Sequence, residues 1–310
     1  MKVCFFGLGS IGKRHLKNFT NLCKDKKIDI EVHAFRNTNN KLDEEIKSLV
    51  DKEIFIKDDL CSDYDIIFIN NPTSMHYETI EFMKDKCKNM FIEKPIFDDI
   101  VYDLKKLDLN KGFYYVACPL RYSNVVEYLK ENIYIDKVCS VRAICSSYLP
   151  NWRKNTDYRK TYSAIKSQGG GVSIDLIHEW DYLTYIFGFP NNIFNFQGKF
   201  SSLEIDSEDL SVYIAKYNDK LVELHLDYFG RISKREIEIY TDLGCIKGDF
   251  INNKVTFDYD KEEVIFYNED NNYMYEKEME YFLDCVINKK YKNSNINNAY
   301  NVLKLIKECE

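Results

Sequence analysis

The sequence holds 10 cysteines but no C-x-x-C pair, so neither a zinc ribbon nor a disulfide framework is expected, and no metal site is assigned. Proline (5) and glycine (12) are too scarce for a collagen-like or low-complexity linker protein. No stretch approaches the roughly 20 apolar residues of a membrane span. Basic residues are not in excess: Lys and Arg total 43 against 50 Asp and Glu, a net charge of -7. An acidic chain without a basic tail is a poor non-specific nucleic-acid binder. The apolar start Met1 to Phe6 is cut at once by Gly7, Gly9, Lys13, Arg14 and His15, unlike a signal peptide, so a cytoplasmic location is expected.

What is present is globular. At 310 residues, 45% hydrophobic and 30% charged, the chain is long for one core and predicts about two domains. The first third alternates short apolar runs with helical spacing. Strands are predicted over Lys2 to Phe6, Ile30 to Phe35, Tyr64 to Ile69, Met90 to Ile92 and Tyr114 to Cys118. Helices are predicted over Ile11 to Cys23, Leu42 to Val50 and Tyr77 to Lys88. The alternation predicts a doubly wound parallel sheet of the Rossmann type. After Pro119 and a helix over Leu120 to Asn132, longer alternating strands are separated by turn signals. They are Lys137 to Ser147, Leu210 to Lys216, Leu221 to Tyr228, Lys234 to Tyr240, Lys254 to Tyr259 and Glu263 to Tyr267. One helix is predicted over Val172 to Phe187, and two close the chain, over Tyr273 to Asn288 and Asn298 to Cys309. The expected fold class is α/β. A dinucleotide-binding domain covers 1–119. An α+β domain with a large, mostly antiparallel open sheet covers 120–310, its last helices able to pack on the first domain.

Gly7-Leu8-Gly9-Ser10-Ile11-Gly12 is G-x-G-x-x-G between a predicted strand and a predicted helix. Gly7 allows a tight turn, Gly9 a close approach to pyrophosphate and Gly12 helix–strand packing. The helix N-terminus adds partial positive charge. NAD enzymes place an acid at the end of the second strand. Here that strand runs Ala34-Phe35-Arg36-Asn37-Thr38. Arg36, with Asn37 beside it, suits a 2′-phosphate, so NADP(H) is favoured over NAD(H); the alternative is that Arg36 stacks on adenine without selecting.

Two further loops fall at strand carboxyl ends, where ligands of such sheets bind. They are Asn70-Asn71-Pro72-Thr73-Ser74-Met75-His76 and Glu93-Lys94-Pro95. Lys94 there can donate to a substrate hydroxyl, or it is a solvated turn residue. Beyond Gly169-Gly170-Gly171, Asp175, His178 and Asp181 recur at spacing three, on one face of a helix. A carboxylate beside an imidazole makes a general base; the alternative is a histidine satisfied in a helix–sheet contact. Trp152, Arg153, Tyr158, Arg159 and Tyr162 precede the glycines. Aromatic faces suit sugar C–H surfaces and arginine forks suit phosphate or carboxylate, so the segment fits an anionic sugar or sugar nucleotide. The alternative is a rim loop or an oligomer contact.

The order Gly7-x-Gly9-x-x-Gly12-x-x-His15, Asn71-Pro72-Thr73 with His76, Glu93-Lys94-Pro95, then a glycine turn before Asp175 and His178, resembles the glucose–fructose oxidoreductase / inositol dehydrogenase (Gfo/Idh/MocA) family over essentially the whole chain. The resemblance implies cofactor contacts from Asn71, Pro72, Thr73, His76, Glu93, Lys94 and Arg121. It also implies substrate contacts from Lys94, Arg121, Asp175 and His178. Lys94 would hydrogen-bond the reacting hydroxyl, His178 would be the acid/base, and Asp175 would hold His178 or the substrate. Many members space that Asp and His four apart; here the spacing is three, and Glu179 or Asp181 could take the part of Asp175. Membership also implies a homo-oligomer, dimer or tetramer, formed on the large sheet.

Three functions are compatible with these features. The first is NAD(P)-dependent hydride transfer to or from a sugar, sugar derivative or sugar nucleotide. The second is a glycoside hydrolase or lyase with transient redox at bound NAD. The third is a non-catalytic sensor of the same fold, against which the intact Lys94 and His178 argue.

Overall fold

A computed structural model describes residues 1–109, 112–259 and 261–309. The chain divides into two compact units, Met1–Pro119 with Met274–Leu303, and Leu120–Tyr273 with Lys304–Glu310.

The first unit is built on β1 (Lys2–Phe6), β2 (Glu31–Phe35), β3 (Lys52–Ile54), β4 (Ile66–Ile69), β5 (Asn89–Ile92) and β6 (Phe113–Val116), with α1 (Ser10–Asp25), α2 (Glu44–Lys47), α3 (His76–Met83) and α4 (Leu104–Leu107) between them. All pairings are parallel, in the order β3-β2-β1-β4-β5-β6. The order reverses between β1 and β4, which puts a topological switch point beside the glycine turn. Strands β4, β5 and β6 are buried at every position, which is why they read as unbroken apolar runs. Their core is aromatic: Phe5 stacks on Phe68 at 4.3 Å, and Phe282 of α8 (Tyr273–Ile287) meets Phe91 edge-on at 5.2 Å. The edge strand β6 is capped where Ser294 Oγ and Asn295 Oδ1 accept from Tyr114 N and Val116 N, just before α9 (Ile296–Lys307).

The second unit carries α5 (Asn124–Asn132), β7 (Val138–Tyr148), α6 (Val172–Asp175), α7 (His178–Phe187) and seven further strands: β8 (Asn192–Gly198), β9 (Leu210–Lys216), β10 (Leu221–Asp227), β11 (Phe229–Thr241), β12 (Gly244–Asp249), β13 (Lys254–Asp258) and β14 (Glu262–Phe266). The sheet order is β14-β13-β12-β11-β7-β10-β9-β8, antiparallel except for the central β7–β10 pair. Val141, Ala143, Val222, Leu224, Ile237 and Ile239 are buried on one face, alternating with Arg142, Glu223 and Glu238 on the other. Trp180 of α7 packs edge-on against Tyr213 at 5.5 Å, burying the helix against that inner face.

Several features differ from the sequence expectations, and β12 and the single turn α4 are among the elements not expected. The helix expected over Leu42 to Val50 is the single turn α2. The helix expected over Val172 to Phe187 is broken into α6 and α7, because Leu176 (φ -98°, ψ 25°) leaves helical geometry. Strand β3 is too short to show alternation. Strand β8 escapes because its phenylalanines, Phe194 and Phe196, lie on the exposed face, so alternation does not report burial there.

Candidate active site

The glycine turn follows β1 and opens α1. Gly7 has φ +88°, and a Cβ there would sit 3.0 Å from the Asn70 carbonyl oxygen. A Cβ on Gly12 would come within 2.3 Å of the Gly7 carbonyl oxygen, so only glycine allows α1 this close to β1. The space where a Cβ of Gly9 would point is open, and no side chain caps α1. The first N–H groups of α1 therefore face a cradle with room for a pyrophosphate. Beside it, both polar atoms of the Asn70 side chain and Oδ1 of Asn71 are buried without a hydrogen bond among the described residues. The cradle and these orphaned amides fit a dinucleotide at the switch point.

Three strand-end loops are tied together by two buried side chains. Glu93, after β5, pairs with Nε2 of His15 on α1, and its other oxygen accepts from Lys94 N at 3.1 Å. His15 is fully buried, with its ring 4.8 Å from Phe91. Burial pushes the Glu93 carboxyl up, but the hydrogen bond and charge of His15, then Lys94, outweigh it and hold the group below its ordinary range. Breaking such a buried pair by removing one partner costs about 3–5 kcal/mol. His76 opens α3 and is buried; its Nε2 lies 3.0 Å from the Asn71 carbonyl, and its Nδ1 3.2 and 3.1 Å from those of Pro95 and Ile96. Burial lowers the His76 pKa. Glu93 and His76, expected among cofactor contacts, are thus committed to the protein, and hold the Asn71 and Lys94 loops in place. The Lys94–Pro95 peptide is cis. Asn71 Nδ2 donates to Thr79 Oγ1 at 2.9 Å, which orients that amide from α3.

Arg36 ends β2 as expected, but its guanidinium pairs with Glu53 of β3 and donates to the Asn40 carbonyl. A half-buried acid on the neighbouring strand, which spacing along β2 could not reveal, therefore shares this arginine. Thr73 lies in the turn before α3, behind Pro72.

In the second unit, two ion pairs pin the first turn of α7. Buried Glu179 accepts from Arg235 at 2.7 Å, and Asp181 accepts a two-pronged contact from Arg121 at 2.8 and 2.7 Å. The acids sit at the helix N-terminus, where the dipole favours them. Both acids considered as substitutes for Asp175 are therefore bound to arginines, and two of Arg121's donors serve Asp181. His178 is half-buried at the start of α7.

Asp175 closes α6, and its Oδ2 accepts from the buried Tyr228 hydroxyl at 2.5 Å. Burial and then the Asp175 carboxylate push both the Tyr228 and Tyr162 hydroxyls up, so both remain protonated donors. Tyr228 ends the predicted strand Leu221 to Tyr228, and nothing in its spacing marks it. Trp152 meets the Tyr228 ring edge-on at 5.2 Å and donates to Ser147 Oγ at 2.9 Å. Arg153 lies over the Tyr162 ring at 5.2 Å. Two members of the aromatic–arginine segment turn away from this group. Arg159 is paired with Asp157 at 2.9 Å and Glu204 at 3.0 Å, and the Tyr158 hydroxyl accepts from Glu204 N at 3.2 Å. They brace the loop, a role the sequence pattern could not separate from anion binding. The glycines after the loop are sterically required: a Cβ on Gly170 would lie 2.1 Å from the Tyr162 carbonyl oxygen, and Gly171 has φ +140°.

The Glu93 carboxyl has a folded pKa below its unfolded value of 4.5, so its contribution to stability is complete above that pH and is lost as pH falls through the folded value. Between about pH 6 and about pH 3, the melting temperature of the native chain should fall more steeply than that of Glu93→Gln, read by circular dichroism. Equal slopes would remove the charged pair as a source of stability.

Residues 1–108 match the family described as an oxidoreductase family with an NAD-binding Rossmann fold. No curated protein matches the chain. Among solved structures, UDP-N-acetylglucosamine 3-dehydrogenase GnnA from Acidithiobacillus ferrooxidans superposes with a TM-score of 0.77 at 17% identity, covering 99% of this chain and 96% of that one. Myo-inositol 2-dehydrogenase from Lactobacillus plantarum gives 0.79 at 20% identity, covering 100% and 96%. Levoglucosan dehydrogenase, solved with NADH and levoglucosan, gives 0.83 at 14% identity, covering 99% and 95%. At these identities the likeness establishes the fold over the full length. Residues 1–108, with their NAD-binding Rossmann fold, are thus similar to the Gfo/Idh/MocA oxidoreductase family.

Proposed function

We propose that the protein is an NAD(P)-dependent dehydrogenase or reductase acting on a CH–OH group of a sugar, sugar derivative or sugar nucleotide. The observation that carries this is the cradle of Gly7, Gly9 and Gly12 with Lys94 held two strands away by the His15–Glu93 pair. Dehydrogenases of sugars, inositols and sugar nucleotides with the same overall fold support the substrate class. When bound, the nicotinamide supplies the two-electron acceptor or donor. Lys94 donates a hydrogen bond to the reacting hydroxyl oxygen and lowers its pKa. His178 takes the hydroxyl proton in oxidation and returns it in reduction. Asp175, which accepts from the Tyr228 hydroxyl, holds His178 or the substrate. Cytoplasmic operation belongs to the same proposal.

Lys94→Ala should lower kcat by about 10²–10⁴-fold, while NAD(P)H binding changes by less than about threefold. Full activity in that variant would end the assignment of Lys94.

For the cofactor, NADP(H) is the proposed preference. It rests on Arg36 and on the lack of an acid at the end of β2. Pairing with Glu53 occupies part of the guanidinium and leaves further N–H donors for a 2′-phosphate. Fluorescence titration should show tighter binding of NADPH than NADH, with the difference erased in Arg36→Ala. Tighter NADH binding would refute the preference.

A homo-oligomer formed on the open sheet is also proposed. Phe196 (69% exposed) and Phe266 (72%) lie on its outer side with Phe194 and Ile214. Light scattering should give a multiple of 36.8 kDa; a monomer mass would count against this interface.

A further inference from the structure

Arg36 follows β2 directly, and the register of β2 with β3 holds it beside Glu53. Ala34 lies opposite Glu53, Phe35 lies opposite Ile54, and Arg36 N donates to the Ile54 carbonyl at 2.9 Å. The guanidinium is engaged three times over. Its Nη1 donates to the Glu53 carboxylate, its Nη2 donates to the Asn40 carbonyl, and its Cζ lies 5.9 Å from the centroid of the Phe55 ring. The Arg36 side chain is 10% exposed and that of Glu53 29%, so the pair is largely out of solvent. Two lysines of α1 are neutralised by the segment that follows β2: Lys13 by Asp43 at 2.8 Å and Lys17 by Glu45 at 2.6 Å. The arginine at the end of β2 therefore already has its acid.

An acid in this place acts differently on the two nicotinamide cofactors. NAD(H) carries a neutral 2′-hydroxyl, so the ion pair stays intact when it binds. NADP(H) carries a 2′-phosphate of roughly −1.5 to −2 charge. That phosphate has to share the guanidinium with a carboxylate, which takes away part of its charge-assisted hydrogen bonding. It also comes to rest near a like charge, which opposes it. A pair this far out of solvent is screened less by salt than an exposed one, so the opposition persists at ordinary ionic strength. The acid that usually ends the second strand accepts from the ribose hydroxyls. Glu53 stands on the third strand instead, and it acts through the arginine.

We infer that Glu53 is a specificity-determining residue for the cofactor: it competes with the 2′-phosphate of NADP(H) for Arg36 and keeps the discrimination between the two cofactors small. This rests on the proposed NAD(P)-dependent activity and refines its preference for NADP(H). Arg36 supplies the attraction, and Glu53 sets how much of it the phosphate receives. Removing the Glu53 charge releases the guanidinium to the phosphate and leaves the surroundings of a 2′-hydroxyl nearly as they were.

The test is fluorescence titration of the full chain with NADPH and with NADH, in the native protein and in Glu53→Gln and Glu53→Ala. Glu53→Gln keeps a hydrogen-bond acceptor for Arg36 and removes only the charge. Both variants should bind NADPH at least about fivefold more tightly than the native chain does, with NADH affinity held within about twofold. Unchanged NADH affinity also shows that the variants are folded. Asp63→Asn makes the same change of charge at an exposed carboxylate paired with Lys2, at the amino end of β1, and should leave the ratio of the two affinities unaltered. The inference is overturned if Glu53→Gln keeps the native ratio within about twofold. It is overturned equally if that variant binds NADPH more weakly, since Glu53 would then be aiming Arg36 at the phosphate, or if Asp63→Asn raises the ratio as much. A native chain that prefers NADH, with NADPH affinity gained in Glu53→Gln, ends the preference for NADP(H) and leaves this inference standing. A native preference for NADPH that both variants keep unchanged does the reverse. Binding needs no turnover, so a chain that binds the cofactors and oxidises no sugar leaves the role of Glu53 untouched.

Discussion

A single buried carboxylate, Glu93, sits between the helix that follows the glycine turn and the loop that presents Lys94. It accepts from the ring of His15 on α1 and from the backbone N–H of Lys94 itself. The strand order places β4 between β1 and β5, so without this link the two loops would be joined only through the sheet. Burial alone would neutralise such a group, and the facing imidazole is what keeps it charged. His76 performs the same service one loop over, bridging the Asn71 and Pro95 carbonyls. The rigid cradle and the placement of Lys94 are consequences of these two buried links.

The second unit uses charge in a parallel way. Glu179 and Asp181 are bound to Arg235 and Arg121, which fixes the start of α7 where His178 stands. Asp175 is handled differently: it accepts from the buried Tyr228 hydroxyl. That difference divides the acids of one short segment into two paired with arginines and one that accepts from a buried tyrosine. The arginines divide in the same manner, into those held by carboxylates and those laid on tyrosine rings.

Much of the fold was legible because its physics is local. Strands β4, β5 and β6 are buried on both faces and read as plain apolar runs, and the glycine turn is forced by backbone approach at Gly12. Where burial and pattern part, legibility ends. Phe194 and Phe196 are apolar and exposed, so β8 left no usable alternation. The break at Leu176 carries no proline or glycine to announce it, and it ends the shared helical face drawn through Asp175, His178 and Asp181.

By itself, the sequence determined the two-part organisation of its patterns, the phosphate turn, and the residue types at each strand end. Those depend on short-range sterics and periodicity. Only the tertiary structure decided what each charged side chain does, because the partners lie far apart along the chain: His15 with Glu93, Arg36 with Glu53, Arg235 with Glu179, Tyr228 with Asp175. A charge is costly to bury alone and cheap beside its opposite, so its role is settled by whichever neighbour folding brings to it. Arg153 and Arg159 make the point within one loop: they are six residues apart, yet one lies on Tyr162 and the other is bound by Asp157 and Glu204.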